Sequence, residues 1–452
     1  MDFDAIVVGA GPAGCIVARD LAFGGWKVGL FDAATRETLG RAAVVEVEHG
    51  VFRRVGLNEP SRDEIPYLAR TMRVFSPRRR PAFALRRDFA TVALYLDRFA
   101  RKLLGDAEAA GASFLGEYRA LGASVAAGRV AGVSFAHEGQ EHEARARLVI
   151  DATGFEAALV RRLDPGLGMS FADDSRDVLG ASNALHATLP DESAAAVAAG
   201  RCRDEESWLT MGSCGAGSVE LCYLSQRKGR AFQMVACKAD YDGRPLRSLV
   251  QELARQQGYL GERLYGAEGH IRLSRTLDRL VTHGFMVVGE AACMVNPLCG
   301  SGVASALHSG YLAAVVAAAA LSNRQPSTGD LWRYAARYQR GRGATLAAFD
   351  AARRVLDGLK EHDFAALLEG HVVGGRDLFA VLSARRPPLS PRALTRRAIG
   401  LARHPALLPA TARLSAVSAA VYRHYRSYPE SWDPERFAAW RQRARRLFAG
   451  AE

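Results

Sequence analysis

The sequence predicts an α/β protein: a doubly wound parallel-sheet domain, an inserted mostly antiparallel β domain that handles substrate, and a helical C-terminal region. Three observations lead there. Asp4–Val8 is a nearly continuous apolar run closing on glycines, the pattern of a strand buried on both faces. A helical stretch from about Pro12 to Gly24 and a second apolar run, Lys27–Phe31 closing on Asp32, complete a βαβ unit. Between about residues 178 and 240 strand-like runs such as Val219–Leu224 and Phe232–Ala236 replace helix, whereas beyond Leu331 the pattern is helical, broken at Pro387, Pro388, Pro391, Pro405 and Pro409.

These shifts divide the chain into 1–177 and 271–330 for the two parts of a Rossmann-like domain, 178–270 for the inserted sheet and 331–452 for the helices. Residues 41–57 read as a connecting loop and helix stopping at Gly56. Phe89–Gly111 reads as helix, with Leu96, Phe99, Leu103 and Ala107 on one side. Weak alternating strands fill 113–150, and Phe285–Val288 returns to the buried-strand pattern.

Composition excludes several classes. The chain has 452 residues, 49% hydrophobic and 24% charged, as in ordinary globular proteins. The longest apolar stretch, Leu312–Leu321, is mostly alanine and short of a bilayer's thickness. The first strand begins almost at Met1, so no signal peptide and a cytoplasmic location are expected. Seven cysteines (Cys15, Cys202, Cys214, Cys222, Cys237, Cys293 and Cys299) form no CxxC pair, which argues against structural zinc and a thioredoxin-like dithiol and for reduced thiols; no metal site is expected. The net charge is +12, but only five of the 60 basic residues are lysine, and no nucleic-acid motif accompanies them. From Ala384 onward 14 arginines face four acids. That excess fits solvated helix faces, or a docking surface for an acidic carrier protein or an anionic membrane.

Three motifs carry chemistry. In Gly9-Ala10-Gly11-Pro12-Ala13-Gly14, the first glycine allows a tight turn, the second lets backbone amides approach a diphosphate, and the third lets helix and strand pack closely. The phosphates would sit at the helix N-terminus, and Asp32, with Ala33 beside it, would meet a ribose. The second motif, Leu148-Val-Ile-Asp151-Ala-Thr-Gly154, is a strand delivering Asp151 and Gly154 to a turn. The third runs from Gly284 through Gly289-Glu290 to Pro297-Leu-Cys299-Gly300-Ser301-Gly302-Val303 and on to Gly310. Here a strand delivers an acid, and a glycine turn opens a helix whose N-terminus would stabilise negative charge on a flat ring.

In these motifs the chain resembles the aromatic-hydroxylase-fold flavoproteins, nearest to flavin-dependent halogenases and geranylgeranyl reductases, over about residues 1–345. The resemblance implies bound FAD and assigns Gly289 and Glu290 to the ribityl chain, Gly300 to Val303 to the ring, and Arg41 to a flavin-contacting loop. Glu290 stands where the family usually has aspartate. The family's helix arginine maps onto Leu96, which leaves Arg98 or Arg101 as substitutes. The lysine that halogenases need after Gly56-Leu57 is missing, and Leu221–Arg230 lacks the aromatic signature of the reductases.

The leading expectation is a monooxygenase that hydroxylates or epoxidises an aromatic or lipid-like, possibly carrier-tethered, substrate through a flavin C4a-hydroperoxide, with electrons from NAD(P)H or a separate flavin reductase. The alternatives are a reductase working by hydride transfer at flavin N5 and a non-catalytic flavin carrier. His49, near the expected pocket, and Cys299, just before the flavin-facing glycines, are the acid–base candidates. His308 and Cys293 read as structural. Trp208 and Tyr223 fit either pocket wall or core.

Overall fold

A computed structural model describes residues 2–86, 91–171, 177–200, 202–212, 218–238, 245–323 and 325–450, and Cys214 lies outside them. The fold is the expected α/β architecture with a helical C-terminal region. In its first sheet, strand Asp2–Val8 lies between Val28–Phe31 and Gln140–Asp151, and Phe285–Val287 flanks the latter, all parallel. Ala5 to Val8 are all buried, as an uninterruptedly apolar run requires: helix Pro12–Phe23 packs on this sheet, and Phe135 of strand Arg129–His137 stacks on the neighbouring Phe31 at 4.3 Å. Helix Pro12–Phe23 packs against helix Val303–Ala320 so closely that a Cβ on Gly310 would stand 2.5 Å from the Ala13 carbonyl oxygen. Val303–Ala320 is long and apolar enough to cross a bilayer, but more than half of it is buried inside the fold.

The register matters for function. Val8 pairs with Phe31 on one side and Asp151 on the other, and Asp151 pairs with Val287. The carboxyl ends of all four strands therefore finish level. They deliver Gly9, Asp32, Ala152 and Val288 to one crevice, the place where open α/β sheets bind ligands.

The second sheet has seven strands in the order Leu260–Arg272, Val178–Thr188, Arg230–Lys238, Val219–Ser225, Ser207–Met211, Thr71–Phe75 and Pro81–Arg86. All its pairings are antiparallel except Ser207–Met211 with Thr71–Phe75. The last two strands come from before residue 87 and received no assignment from the sequence. Two other readings need correction. Thr91–Tyr95 is a strand, antiparallel to Val44–Glu48, so the helix starts only at Leu96, and 41–57 holds that strand plus one short helical turn, Val51–Arg54. Burial of Val92 and Leu94 against the partner strand decides the conformation there, and an apolar run of five residues before a helix cannot be parted from it by periodicity.

The C-terminal helices are not an appendage. Trp332 stacks on Tyr428 at 5.3 Å between ring centroids, Phe437 meets it edge-on, and its indole N–H donates to the Pro429 carbonyl at 2.9 Å. Through this cluster the final helices, Leu408–Arg426 and Pro434–Ala449, share the core of the first domain. Pro391, Pro409 and Pro434 fall in the first turns of their helices, where no amide is needed.

Candidate flavin site

Gly9 has φ +104°, and a Cβ there would stand 2.3 Å from the Ala152 carbonyl oxygen. On Gly14 a Cβ would meet the Gly9 carbonyl oxygen at 1.8 Å. Gly11 differs: a Cβ on it would meet nothing within 4 Å, so its backbone borders open space. No side chain caps the helix that begins there, and its first amides have no intrahelical partner. Open space beside uncapped amides fits a diphosphate. Asp32 holds the neighbouring turn: one carboxylate oxygen accepts from the Ala10 amide at 2.6 Å and the other from the Ala34 amide at 2.8 Å. Each oxygen keeps a lone pair for a ribose hydroxyl, and Ala33 is exposed beside it.

Asp151 is buried and spends its carboxylate on its own loop. It accepts from the Thr153 amide and hydroxyl and from the Leu159 and Val160 amides, all at 2.6–3.2 Å. Burial raises its pKa, and these bonds pull it back. Its side chain shapes the turn through Gly154 (φ +66°) rather than facing the crevice. Glu290 follows Gly289, on which a Cβ would press on Ala13 at 3.1 Å. Burial pushes its carboxyl up, opposed by the Arg272 amide and by the Arg41 and Arg272 guanidiniums. Arg41 thus serves the Glu290 end of the site, where it lies over Gly269. Arg98 does not come to the crevice. It is exposed, stacked over Tyr95 at 4.2 Å and donating to the Asp63 carbonyl.

The turn from Pro297 to Gly302 is held from both sides. The Gly300 amide donates to the Asn296 carbonyl at 2.8 Å, Asn296 Nδ2 donates to the Val381 carbonyl, and Ser301 Oγ donates to the Glu46 carbonyl at 2.9 Å. The residues Pro297 to Val303 form one wall of a cavity of about 260 Å³. Its other walls are apolar side chains of the second sheet, among them Leu179, Leu209, Leu221 and Met234, and of the C-terminal helices, Leu356, Phe364, Leu378 and Leu382. Cys299 is deep in the protein but open to this cavity, and burial pushes its thiol up to about 12.

His49 is exposed in the turn after Val44–Glu48 and does not line the cavity. Its neighbour Glu48 points inward instead and forms a buried ion pair with Arg342: Arg342 Nη1 donates to Glu48 Oε2 at 2.9 Å and Nη2 to Oε1. Arg342 Nε also donates to Ser305 Oγ at 2.8 Å, in the first turn of the Val303–Ala320 helix. Arg342 rides on a wide π-type turn, Gln339–Gly343, a distortion common at functional sites. Nothing local marks this pair in the sequence, since its members are 294 positions apart. His308 is mostly buried with a pKa lowered to about 4 by burial and by Arg342 and Arg54. Cys293 is buried packing. Trp208 and Tyr223 line other parts of the core, Tyr223 stacking on Tyr67 at 4.6 Å. Among the described residues no cluster of His, Cys, Asp and Glu suits a metal ion.

The FAD binding domain family matches residues 2–337. A digeranylgeranylglycerophospholipid reductase of Methanoculleus marisnigri is 26% identical over 354 residues, 76% of this chain and 84% of that relative. A geranylgeranyl bacteriochlorophyll reductase-like structure from Thermoplasma acidophilum superposes with a TM-score of 0.70 at 20% identity, covering 89% of this chain and 96% of the other. A myxobacterial chondrochloren halogenase, CndH, does so with a TM-score of 0.61 at 17% identity, covering 88% and 96%. With an open, uncapped diphosphate cradle and a ribose acid in register with a glycine turn, the chain belongs to the FAD binding domain family and is an FAD-dependent oxidoreductase.

Proposed function

We propose that the protein is a reductase that adds a hydride and a proton across a carbon–carbon double bond of a long, apolar, isoprenoid-like substrate. The cavity carries this reading. It is mostly apolar, with Glu46, Asn183, Arg353 and Asp357 among its few polar lining residues, and it runs from the Pro297–Val303 turn between the second sheet and the C-terminal helices. The apolar majority of these walls suits a long hydrocarbon chain and limits water around it. The relatives named as digeranylgeranylglycerophospholipid reductases support hydride transfer over the oxygen insertion expected from the sequence.

Reduced FAD, when bound, supplies the hydride and with it both electrons. Gly11 to Gly14 and Asp32 would hold its diphosphate and ribose, Glu290 and Arg41 its ribityl region, and Gly300 to Val303 its ring. The chain's own part is to align the substrate and to hold a proton. Burial keeps the Cys299 thiol protonated at neutral pH, and Cys299 lines the cavity. It delivers that proton to the alkene carbon that does not receive hydride and recovers one from solvent. NAD(P)H, directly or through a separate flavin reductase, would restore the reduced cofactor.

The test is a single turnover without oxygen. Photoreduced protein mixed with a geranylgeranyl lipid should be reoxidised as a product two hydrogens heavier forms. Substrate unchanged until air is admitted, then heavier by one oxygen, would overturn the reading in favour of a monooxygenase.

A further inference from the structure

The site leaves unused the arginine-rich surface beyond it. No acidic residue occurs between Asp377 and Glu430, a stretch that carries nine arginines. Asp377 itself is taken up by Arg396 and Arg397. Helix Pro391–Arg403 turns Ala393 and Gly400 inward, and a Cβ on Gly400 would stand 2.4 Å from the Gly370 carbonyl oxygen, so this inner face is seated firmly. The helical period then points Leu394, Ala398, Ile399 and Ala402 at solvent. Leu394 and Ile399 are each 50% exposed, and Leu389 (69%) and Leu408 (50%), just before and after the helix in sequence, are exposed as well. Exposed Arg392 and Arg403 flank it, and Arg376, Arg385 and Arg386 stand nearby.

This face adjoins the cavity. On helix Gly375–Leu382, Leu378 and Leu382 line the cavity, while Arg376 and Phe379 line a basic groove shared with Arg385 and Arg392. Leu356 and Phe364 line the cavity and belong to the apolar cluster that also takes in Leu401 of the arginine helix.

We propose that the surface from Leu389 to Leu408 docks on an anionic phospholipid bilayer, beside the cavity that receives the lipid. The inference rests on the reductase reading only for its purpose, because the surface features stand without it. The outward aliphatic side chains enter the headgroup boundary while the flanking arginines hold lipid phosphates. An acidic carrier protein would satisfy the arginines but leaves four outward aliphatic side chains unexplained, which is why a bilayer is the better occupant.

Flotation of the full FAD-loaded chain with vesicles tests it. Binding is expected to phosphatidylglycerol vesicles, weakly to phosphatidylcholine ones, and to weaken with salt. Leu394→Glu with Ile399→Glu should lower the affinity for anionic vesicles at least about tenfold, since both side chains lose their apolar burial. Turnover of a short, water-dispersed prenyl substrate should be kept in that variant, and this arm also separates failure of docking from failure of the reductase reading. Absence of flotation with anionic vesicles at low salt would overturn the proposal, as would flotation indifferent to both substitutions. Salt-sensitive binding to an acidic acyl carrier protein, without flotation, would overturn it too and assign the surface to a protein.

Discussion

Replacing Glu48 by glutamine removes the charge that balances Arg342 while keeping a side chain of the same size. Both side chains are under 10% exposed, and the pair spans a strand and a π-type turn that are 294 positions apart. In wild type the guanidinium makes two bonds to Glu48 and one to Ser305. Breaking such a buried pair leaves an uncompensated charge and costs about 3–5 kcal/mol. Replacing both partners, Glu48→Met with Arg342→Met, removes the charge altogether and should recover most of that loss. Urea denaturation followed by tryptophan fluorescence, at a fixed saturating FAD concentration, measures the wild type and both variants. A loss below about 1 kcal/mol for Glu48→Gln, or a double variant as unstable as the single one, would refute the reasoning. The pair also anchors the first turn of the Val303–Ala320 helix, so Glu48→Gln should loosen FAD as well.

Three further outcomes follow from the site. Gly14→Ala sets a Cβ against the Gly9 carbonyl oxygen, where no flexible side chain can yield; the flavin-to-protein ratio after gel filtration should fall at least about tenfold. Cys299→Ala should retain FAD but slow substrate-dependent flavin reoxidation by about 10²–10³-fold, with Cys299→Ser intermediate, in stopped-flow measurements. Because the fold lowers the pKa of His308 to about 4, the unfolded chain takes up its proton first as pH falls. Stability is then full above about 6.5 and declines toward pH 4, by about 2–3 kcal/mol, and His308→Gln should flatten that part of the pH–stability curve. Unchanged steepness in the variant would count against a buried neutral imidazole.

What was legible in the sequence was local. Gly9 to Gly14 with Asp32, and Pro297 to Gly302 before an alanine-rich helix, are encoded within one βαβ unit or one strand–turn–helix, so spacing alone reveals them. The unread features depend on partners far along the chain. Thr71–Phe75 joins the second sheet by parallel pairing with Ser207–Met211, which local pattern does not announce. Thr91–Tyr95 becomes a strand because Val44–Glu48 lies beside it. His49, the acid–base candidate, lies in the exposed turn, because the strand ends with Glu48 turned inward toward Arg342. Arg98 was chosen to replace an arginine missing at Leu96, but helical rotation carries it out to Tyr95 and Asp63. The apolar cavity joins side chains from residue 44 to residue 382, and only the assembled fold brings them together.

The measurement that bears most directly on function is the anaerobic single turnover of photoreduced protein with a geranylgeranyl lipid, flavin oxidation and product mass being followed together. Hydride transfer predicts one double bond saturated per flavin reoxidised, with oxygen absent throughout. Reduced flavin that stays reduced until oxygen enters, and then yields an oxygenated lipid, would contradict it.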